Sequence, residues 1–395
     1  MKQHIFLASP HMSEEGYEQQ YIKEAFDTNW IAPLGKNVTE FESEMCEKLG
    51  AKKAVALSAG TAAIHMALRA CGVGRDDIVF CQSLTFSATA NPITYEGAVP
   101  VFIDSEEETW NMSPAALERA FEKYESLGKK PKAVLVVHLY GLCAKIEEIA
   151  SVCKKHGTVL IEDAAESLGT TYKGKYTGTF GDYGIISFNG NKIITSSGGG
   201  MLLINTEDAA EKAAKVLFWA TQAREPARWY QHKEIGYNYR MSNIVAGIGR
   251  GQLRVLERRV EKKREIYEYY REHIGSLPGI SLMPLREESR SNCWLTAIQV
   301  ADEADVKPLD IMKALEADDI ESRPVWKPMH LQPVFHDCDF VSEIENLHIV
   351  DEEMGADNSI AGTLFRRGVC MPSDTKMTKE DMERVCGIVR KLWEQ

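Results

Sequence analysis

No apolar stretch in this chain is long enough to cross a membrane. The longest, residues 133–144, is interrupted by His138, whereas a spanning helix needs about 20 apolar residues. The first twelve residues lack the apolar core of a secretory leader, with histidine and proline following a single early lysine, and a cytoplasmic location is expected. Metal and redox spacings are missing too. Nine cysteines, an odd number, are scattered without a C-x-x-C pair, so reduced core residues are expected and neither a zinc site nor any other metal centre. Excess positive charge is absent: 46 Lys and Arg stand against 58 Asp and Glu, a net charge of −12. That balance argues against nonspecific nucleic-acid binding, which depends on neutralising phosphates, and an anionic ligand needs a locally basic pocket. No internal repeat or low-complexity tract is present.

What is there is ordinary in composition, with 44% hydrophobic and 26% charged residues in 395, and long enough for two domains. Short apolar runs at residues 54–57, 78–81, 99–103, 133–138, 159–161, 184–188 and 200–204 alternate with helical-period segments. Continuously apolar runs at that spacing predict strands covered on both faces and joined by crossover helices, an α/β domain with a mainly parallel sheet. Residues 242–274, without proline, predict one long connecting helix. Beyond Gly279 shorter strands, such as 294–300, alternate with helices near 306–317 and 379–393, as in a smaller α+β domain. The expected division is residues 1–250 and 251–395.

Three features suggest chemistry. Ser58-Ala59-Gly60-Thr61 follows a strand and opens a helix, where free backbone N–H groups and the dipole suit a phosphate; the Ser and Thr are equally suited to capping that helix. Glu162-Asp163-Ala164-Ala165-Glu166-Ser167 lies at a strand's C-terminal end, where open α/β sheets bind ligands. An Asp there either holds a pyridinium N–H or caps the next helix. Lys192 lies just beyond the strand ending in Ser187-Phe188. A lone lysine is usually a solvated charge, but one at a sheet rim can bond an aldehyde cofactor. Taken in order, phosphate turn, Asp and Lys match the needs of pyridoxal phosphate.

With those segments, together with residues 35–42, 85–86, 138–141, 198–200, 236–240 and 323–330, the chain resembles the fold-type-I, StrS/DegT-type sugar aminotransferases over nearly its whole length. The resemblance implies that Lys192 is the Schiff-base lysine, that Asp163 pairs with the pyridine nitrogen, and that Gly60, Thr61 and Ser187 bind the cofactor phosphate. Phe86 stands where the family stacks an aromatic ring on the cofactor; as a bare residue it is equally a core Phe. Glu166 stands beside the cofactor where family members often have Gln or His. Residues 236–240 resemble the loop that reaches into the neighbouring subunit, implying a homodimer with shared sites completed by Asn238 and Arg240; read alone, they are a turn and a surface charge.

Residues 189–192, 220–225 and 323–330 resemble more closely the branch that makes a 4-amino sugar on the bacillosamine route. That likeness implies a UDP-linked 4-keto-6-deoxy sugar as acceptor and glutamate as donor. Arg224, Arg323, Lys327 and His330 would then contact the nucleotide sugar, and Trp326 would flank it. A GDP-linked sugar, as in perosamine synthesis, is the alternative acceptor. A dehydratase on the same scaffold is disfavoured because Lys192 is intact, and a non-catalytic cofactor-binding regulator is the remaining rival.

Overall fold

The computed structural model describes residues 3–394. Its apolar runs build an eight-stranded sheet in the order Lys53–Leu57, Gly200–Ile204, Tyr183–Ser187, Val159–Asp163, Ala133–Val137, Ile78–Gln82, Val99–Ile103 and Phe340–Val341. Only Gly200–Ile204 runs antiparallel to its neighbours; the other pairings are parallel. Ile78–Gln82, Ala133–Val137 and Tyr183–Ser187 are buried at every position. The reason is a helical layer on each face. Val79 and Cys81 pack toward the helices Gly60–Ala70, Ser87–Tyr95 and Ala209–Ala220, whereas Ile78 and Phe80 pack toward Pro114–Ser126 and Ile146–His156. Alternate residues of one strand therefore feed two cores, as the two-residue period requires.

The second unit is an antiparallel sheet, Ile280–Leu282, Thr296–Val300, Gly368–Met371 and Arg323–Pro324 in order. Its core joins Ile298, Val369 and Met371 to residues of the helices Leu256–Ile274, Pro308–Glu316 and Lys379–Leu392. The expected division at residue 250 falls inside the helix Asn243–Leu253. The chain also crosses between the units near both ends: Ile5 bridges Ile320 and joins the second core, and Phe340–Val341 pairs with Val99–Ile103 of the first sheet.

The single helix expected over residues 242–274 is two helices, Asn243–Leu253 and Leu256–Ile274. Val255 leaves helical geometry at φ −111°, ψ 7°. The two halves bury different surfaces. Glycines let the first approach Tyr17–Asp27 so closely that a Cβ at Gly251 would lie 2.5 Å from the Glu18 nitrogen, whereas the second buries Ile266, Tyr270 and Ile274 against the smaller sheet. Among the described residues no helix is long and apolar enough to cross a membrane.

Candidate active site

The parallel strands deliver their C-terminal ends to one edge of the sheet, and a cavity of about 410 Å³ opens there. Gly60, Thr61, Phe86, Asp163, Glu166, Ser187, Lys192 and Trp326 all line it. Val159–Asp163 is two residues longer than expected and ends on Asp163 itself, which fixes the carboxyl by strand geometry rather than by a loop.

The helix Gly60–Ala70 starts after Ala59, and no side chain caps it. Ser58 and Thr61 therefore do not serve as its caps, and its first-turn N–H groups are left for an acceptor. A Cβ on Gly60 would lie 3.2 Å from Ser187 Cβ, and one on Gly200 would lie 2.4 Å from the Gly60 nitrogen. Only glycine at position 200 lets the antiparallel strand press this close to the helix start.

Asp163 is buried. Its Oδ2 accepts the Thr89 hydroxyl at 2.7 Å and its Oδ1 the Ala165 N–H at 3.1 Å. Burial nevertheless pushes its pKa up, against the lowering effect of the Thr89 and Ala165 bonds and of Lys192. A carboxylate held so is stabilised by a cation arriving at its open side. Thr85 stands behind Thr89 at 2.7 Å, continuing the hydroxyl chain.

Burial likewise pushes Glu166 up to about 7, opposed by Lys192 and the Tyr140 N–H and reinforced by Asp163. Its Oε2 accepts the Tyr140 N–H at 2.7 Å, and its Oε1 stands 3.8 Å from Lys192 Nζ. Next to Asp163, Glu162 is also buried, but it accepts N–H bonds from Gly178, Phe180, Gly181 and the His138 ring. Its charge is used within the fold, and of the two adjacent carboxylates only Asp163 lines the cavity.

Phe86 is 58% exposed and therefore no core residue; its ring lies 5.5 Å from that of Trp326 at the cavity wall. A lysine, a buried carboxyl, an uncapped helix start and an open aromatic face thus converge in one space. The family model for DegT/DnrJ/EryC1/StrS aminotransferases matches residues 12–390. The chain belongs to this family. A provisionally assigned pyridoxal phosphate-dependent aminotransferase of Bacillus subtilis, EpsN, is 53% identical over 393 residues, covering 100% of this chain and 97% of that one. GDP-perosamine synthase of Caulobacter vibrioides is 34% identical, with 96% of each chain covered. Among solved structures, a DegT DnrJ EryC1 StrS aminotransferase of Brucella abortus superposes with a TM-score of 0.85 at 26% identity over 96% of each chain.

The protein is a pyridoxal phosphate-dependent sugar aminotransferase with the fold-type-I architecture, and its residues fit that cofactor. The uncapped helix start and Ser187 suit the phosphate, and the cation-seeking Asp163 suits a protonated ring nitrogen.

Other expected residues of the aminotransferase lie elsewhere. Arg240, expected to contact a neighbouring subunit's cofactor, has its guanidinium paired within the chain with Glu42, at 3.2 Å for Nη2–Oε2, and donates to the Ala56 carbonyl at 3.1 Å. It thereby closes the free edge of the Lys53–Leu57 strand. Asn238 is exposed.

The basic pocket expected from residues 323–330 does not form around the cavity. The His330 side chain is largely covered, with Nδ1 on the Ser83 hydroxyl at 2.6 Å, Nε2 on Asp357 at 3.0 Å and its ring stacked on Phe340. Lys327 donates to the Met354 carbonyl, and Arg323 to its neighbour Ser322. Arg224 borders a separate surface hollow with Tyr230 and His232. Only Trp326 of this set lines the cavity.

Sequence reading also missed Thr89, Tyr140 and Trp294. Tyr140 adopts φ 54°; besides holding Glu166, its hydroxyl accepts the Trp326 N–H at 3.1 Å. Nothing at Thr89 or Trp294 marks them in the chain, and Tyr140 stands within residues 138–141 with no role indicated, since each reaches the site through tertiary packing.

Proposed function

We propose that this aminotransferase moves the amino group of glutamate to C4 of a UDP-linked 2-acetamido-2,6-dideoxy-4-hexulose, giving the 4-amino sugar and 2-oxoglutarate. The observation that carries this reading is the meeting of Lys192, Asp163 and the uncapped start of Gly60–Ala70 in one cavity with aromatic walls. When bound, pyridoxal phosphate supplies an electron sink that labilises the C–H bond of the amino donor. Lys192 would hold the cofactor covalently, and its Nζ, once free, would take up and give back the donor-carbon proton. Asp163 would hold the ring-nitrogen proton, Gly60, Thr61 and Ser187 would anchor the phosphate, and Phe86 and Glu166 would stand beside the ring.

The acceptor is bound afterwards in the same space, so the kinetics are ping-pong. Trp326 and Phe86 offer the apolar faces that a sugar or base ring packs against. The nucleotide is assigned from the likeness of residues 189–192, 220–225 and 323–330 to the UDP-sugar branch. A GDP-linked acceptor is favoured instead by the 34% identity to GDP-perosamine synthases. Turnover of UDP- and GDP-linked 4-keto-6-deoxy sugars, each with and without the 2-acetamido group, is measured as 2-oxoglutarate release. A buried polar group left unpaired costs about 1 to 3 kcal/mol, so the acetamido UDP sugar is expected to lead by roughly 5- to 150-fold. Similar rates with all four sugars would refute the substrate assignment, and a lead for the GDP sugars would establish the alternative.

The aminotransferase works as a homodimer with shared sites. The loop through residues 221–240 exposes Trp229, Tyr230 and Ile235 at 67%, 81% and 73%, a concentration of apolar area that suits burial against a second copy. Asn238 on this loop then reaches the neighbouring cofactor phosphate, while Arg240 stays within its own subunit. Mixing inactive Lys192→Ala with inactive Asn238→Ala protein is expected to restore activity, because one hybrid site is intact. No recovery after demonstrated subunit exchange would place Asn238 outside the shared site.

A further inference from the structure

Lys192 has a second neighbour besides Glu166. Its Nζ stands 4.3 Å from the centroid of the Trp294 ring. Trp294 is 2% exposed and arrives from the second unit, just before the strand Thr296–Val300. It is held at three points. Its backbone N–H donates to Asn292 Oδ1 at 2.9 Å, its carbonyl accepts Lys263 Nζ at 2.8 Å, and its indole N–H donates to the Asn191 carbonyl at 2.7 Å. Lys263 reaches that carbonyl from the helix Leu256–Ile274 and is itself buried. The last bond grips the residue directly before Lys192.

We propose that Trp294 is a positioning residue for Lys192: its N–H fixes the turn from which the lysine springs, and its ring face is the seat of Nζ whenever Lys192 is off the cofactor, holding it most strongly once it has taken the donor proton and become an ammonium. The inference rests on Lys192 being the cofactor lysine. A reaction of this class frees the lysine and recaptures it in every half-reaction, and the amine must stay within reach throughout. A long, flexible side chain released toward water gains many rotamers, and an indole face is the best aromatic partner for an ammonium. With Glu166 on one side and Trp294 on another, Nζ is confined without being locked in a short ion pair. No net proton is consumed, because the one Nζ accepts is given back.

The test compares Trp294→Leu and Trp294→Phe holoenzymes with the parent protein. Leu removes both the face and the N–H; Phe keeps a face. In the Leu variant kcat is expected to fall roughly 10- to 100-fold, in line with a mispositioned catalytic group, with KM for donor and acceptor within about threefold. Phe is expected to recover only part of that loss, the remainder being the share of the indole N–H that Phe lacks. A readout independent of turnover is acylation of Lys192 in the cofactor-free protein, followed by peptide mass: it should be several-fold faster in the Leu variant and near the parent rate in the Phe variant.

Parent-like kcat and acylation in the Leu variant would overturn the proposal, as would equal losses in both variants that track a common drop in thermal stability. If the Leu variant does not fold, an unchanged kcat in the Phe variant overturns the part assigned to the indole N–H. Lys192→Ala serves as the control: a cofactor band that survives it refutes the reading of Lys192, whereas a band lost there but unaffected by both Trp294 variants, with unaltered kcat, refutes only the role of Trp294.

Discussion

Lys192→Ala protein is expected to fold normally, to lose the visible absorbance of lysine-bound cofactor and to show no measurable transamination. The fold should survive because Lys192 contributes little to it. Its Nζ is 3.8 Å from Glu166, beyond hydrogen-bonding range, and 4.3 Å from the centroid of the Trp294 ring. Neither core of the large unit depends on it. Activity should not survive, because two functions leave together. General acid–base catalysis by a placed side chain is worth roughly 10²–10⁴-fold, and the covalent hold on the cofactor is lost as well. Absorbance spectra with added cofactor, glutamate half-reactions and thermal melts read these three outcomes separately. Retained turnover above a thousandth of the parent rate would move the cofactor lysine elsewhere. Lys263 is the buried alternative, and its burial pushes it down to about 8; its Nζ is bound to the Trp294 carbonyl.

The parts of the site that were legible in the chain share one property: each is a residue type whose use is set by its place at the end of an apolar run. Asp163 and Ser187 end strands, and Gly60 follows one, that continuously apolar runs make visible, and parallel strands deliver their ends to one edge whatever the loops do. The same logic failed over residues 323–330. Those residues are not a covered strand, so nothing in the sequence says which side each faces, and the structure turns Lys327 and His330 toward Met354 and Asp357 while Trp326 lines the cavity.

Arg240 illustrates the converse problem. An arginine beside a Gly-led loop looks free in the sequence, and Glu42, its partner, lies 198 residues away. Long-range pairs of this kind leave no local signature. The broken helix at Val255 has a similar cause: a helical period runs through it in the sequence, and the break is imposed by two packing surfaces that the period does not encode.

Asp163→Asn should reverse the sign of its effect on stability depending on the cofactor. In the cofactor-free protein the buried Asp163 carboxyl has its pKa raised by burial. The folded state then holds a proton that the unfolded chain has released, so this group makes folding less favourable as pH rises from the unfolded carboxyl value near 3.8 through the folded one. The penalty is fully present above the folded value. Asn has no charge to desolvate and still accepts from Thr89, so the cofactor-free variant should melt higher than the parent at pH 8, and the difference should shrink toward pH 4. With pyridoxal phosphate bound the order should invert, because the parent gains a charge-assisted bond to the ring-nitrogen proton that Asn cannot match. Such bonds contribute about 1.5 to 3 kcal/mol, which corresponds to roughly 10- to 100-fold weaker cofactor binding in the variant. Transamination should fall further, by about 10²–10³-fold, as expected when one preorganised electrostatic contact to the reacting system is removed. Paired melts at pH 4 and pH 8, with and without cofactor, separate this role from that of a plain helix cap. A cap would lose stability in both forms and at both pH values, and that outcome, with near-normal rates, would remove Asp163 from the chemistry.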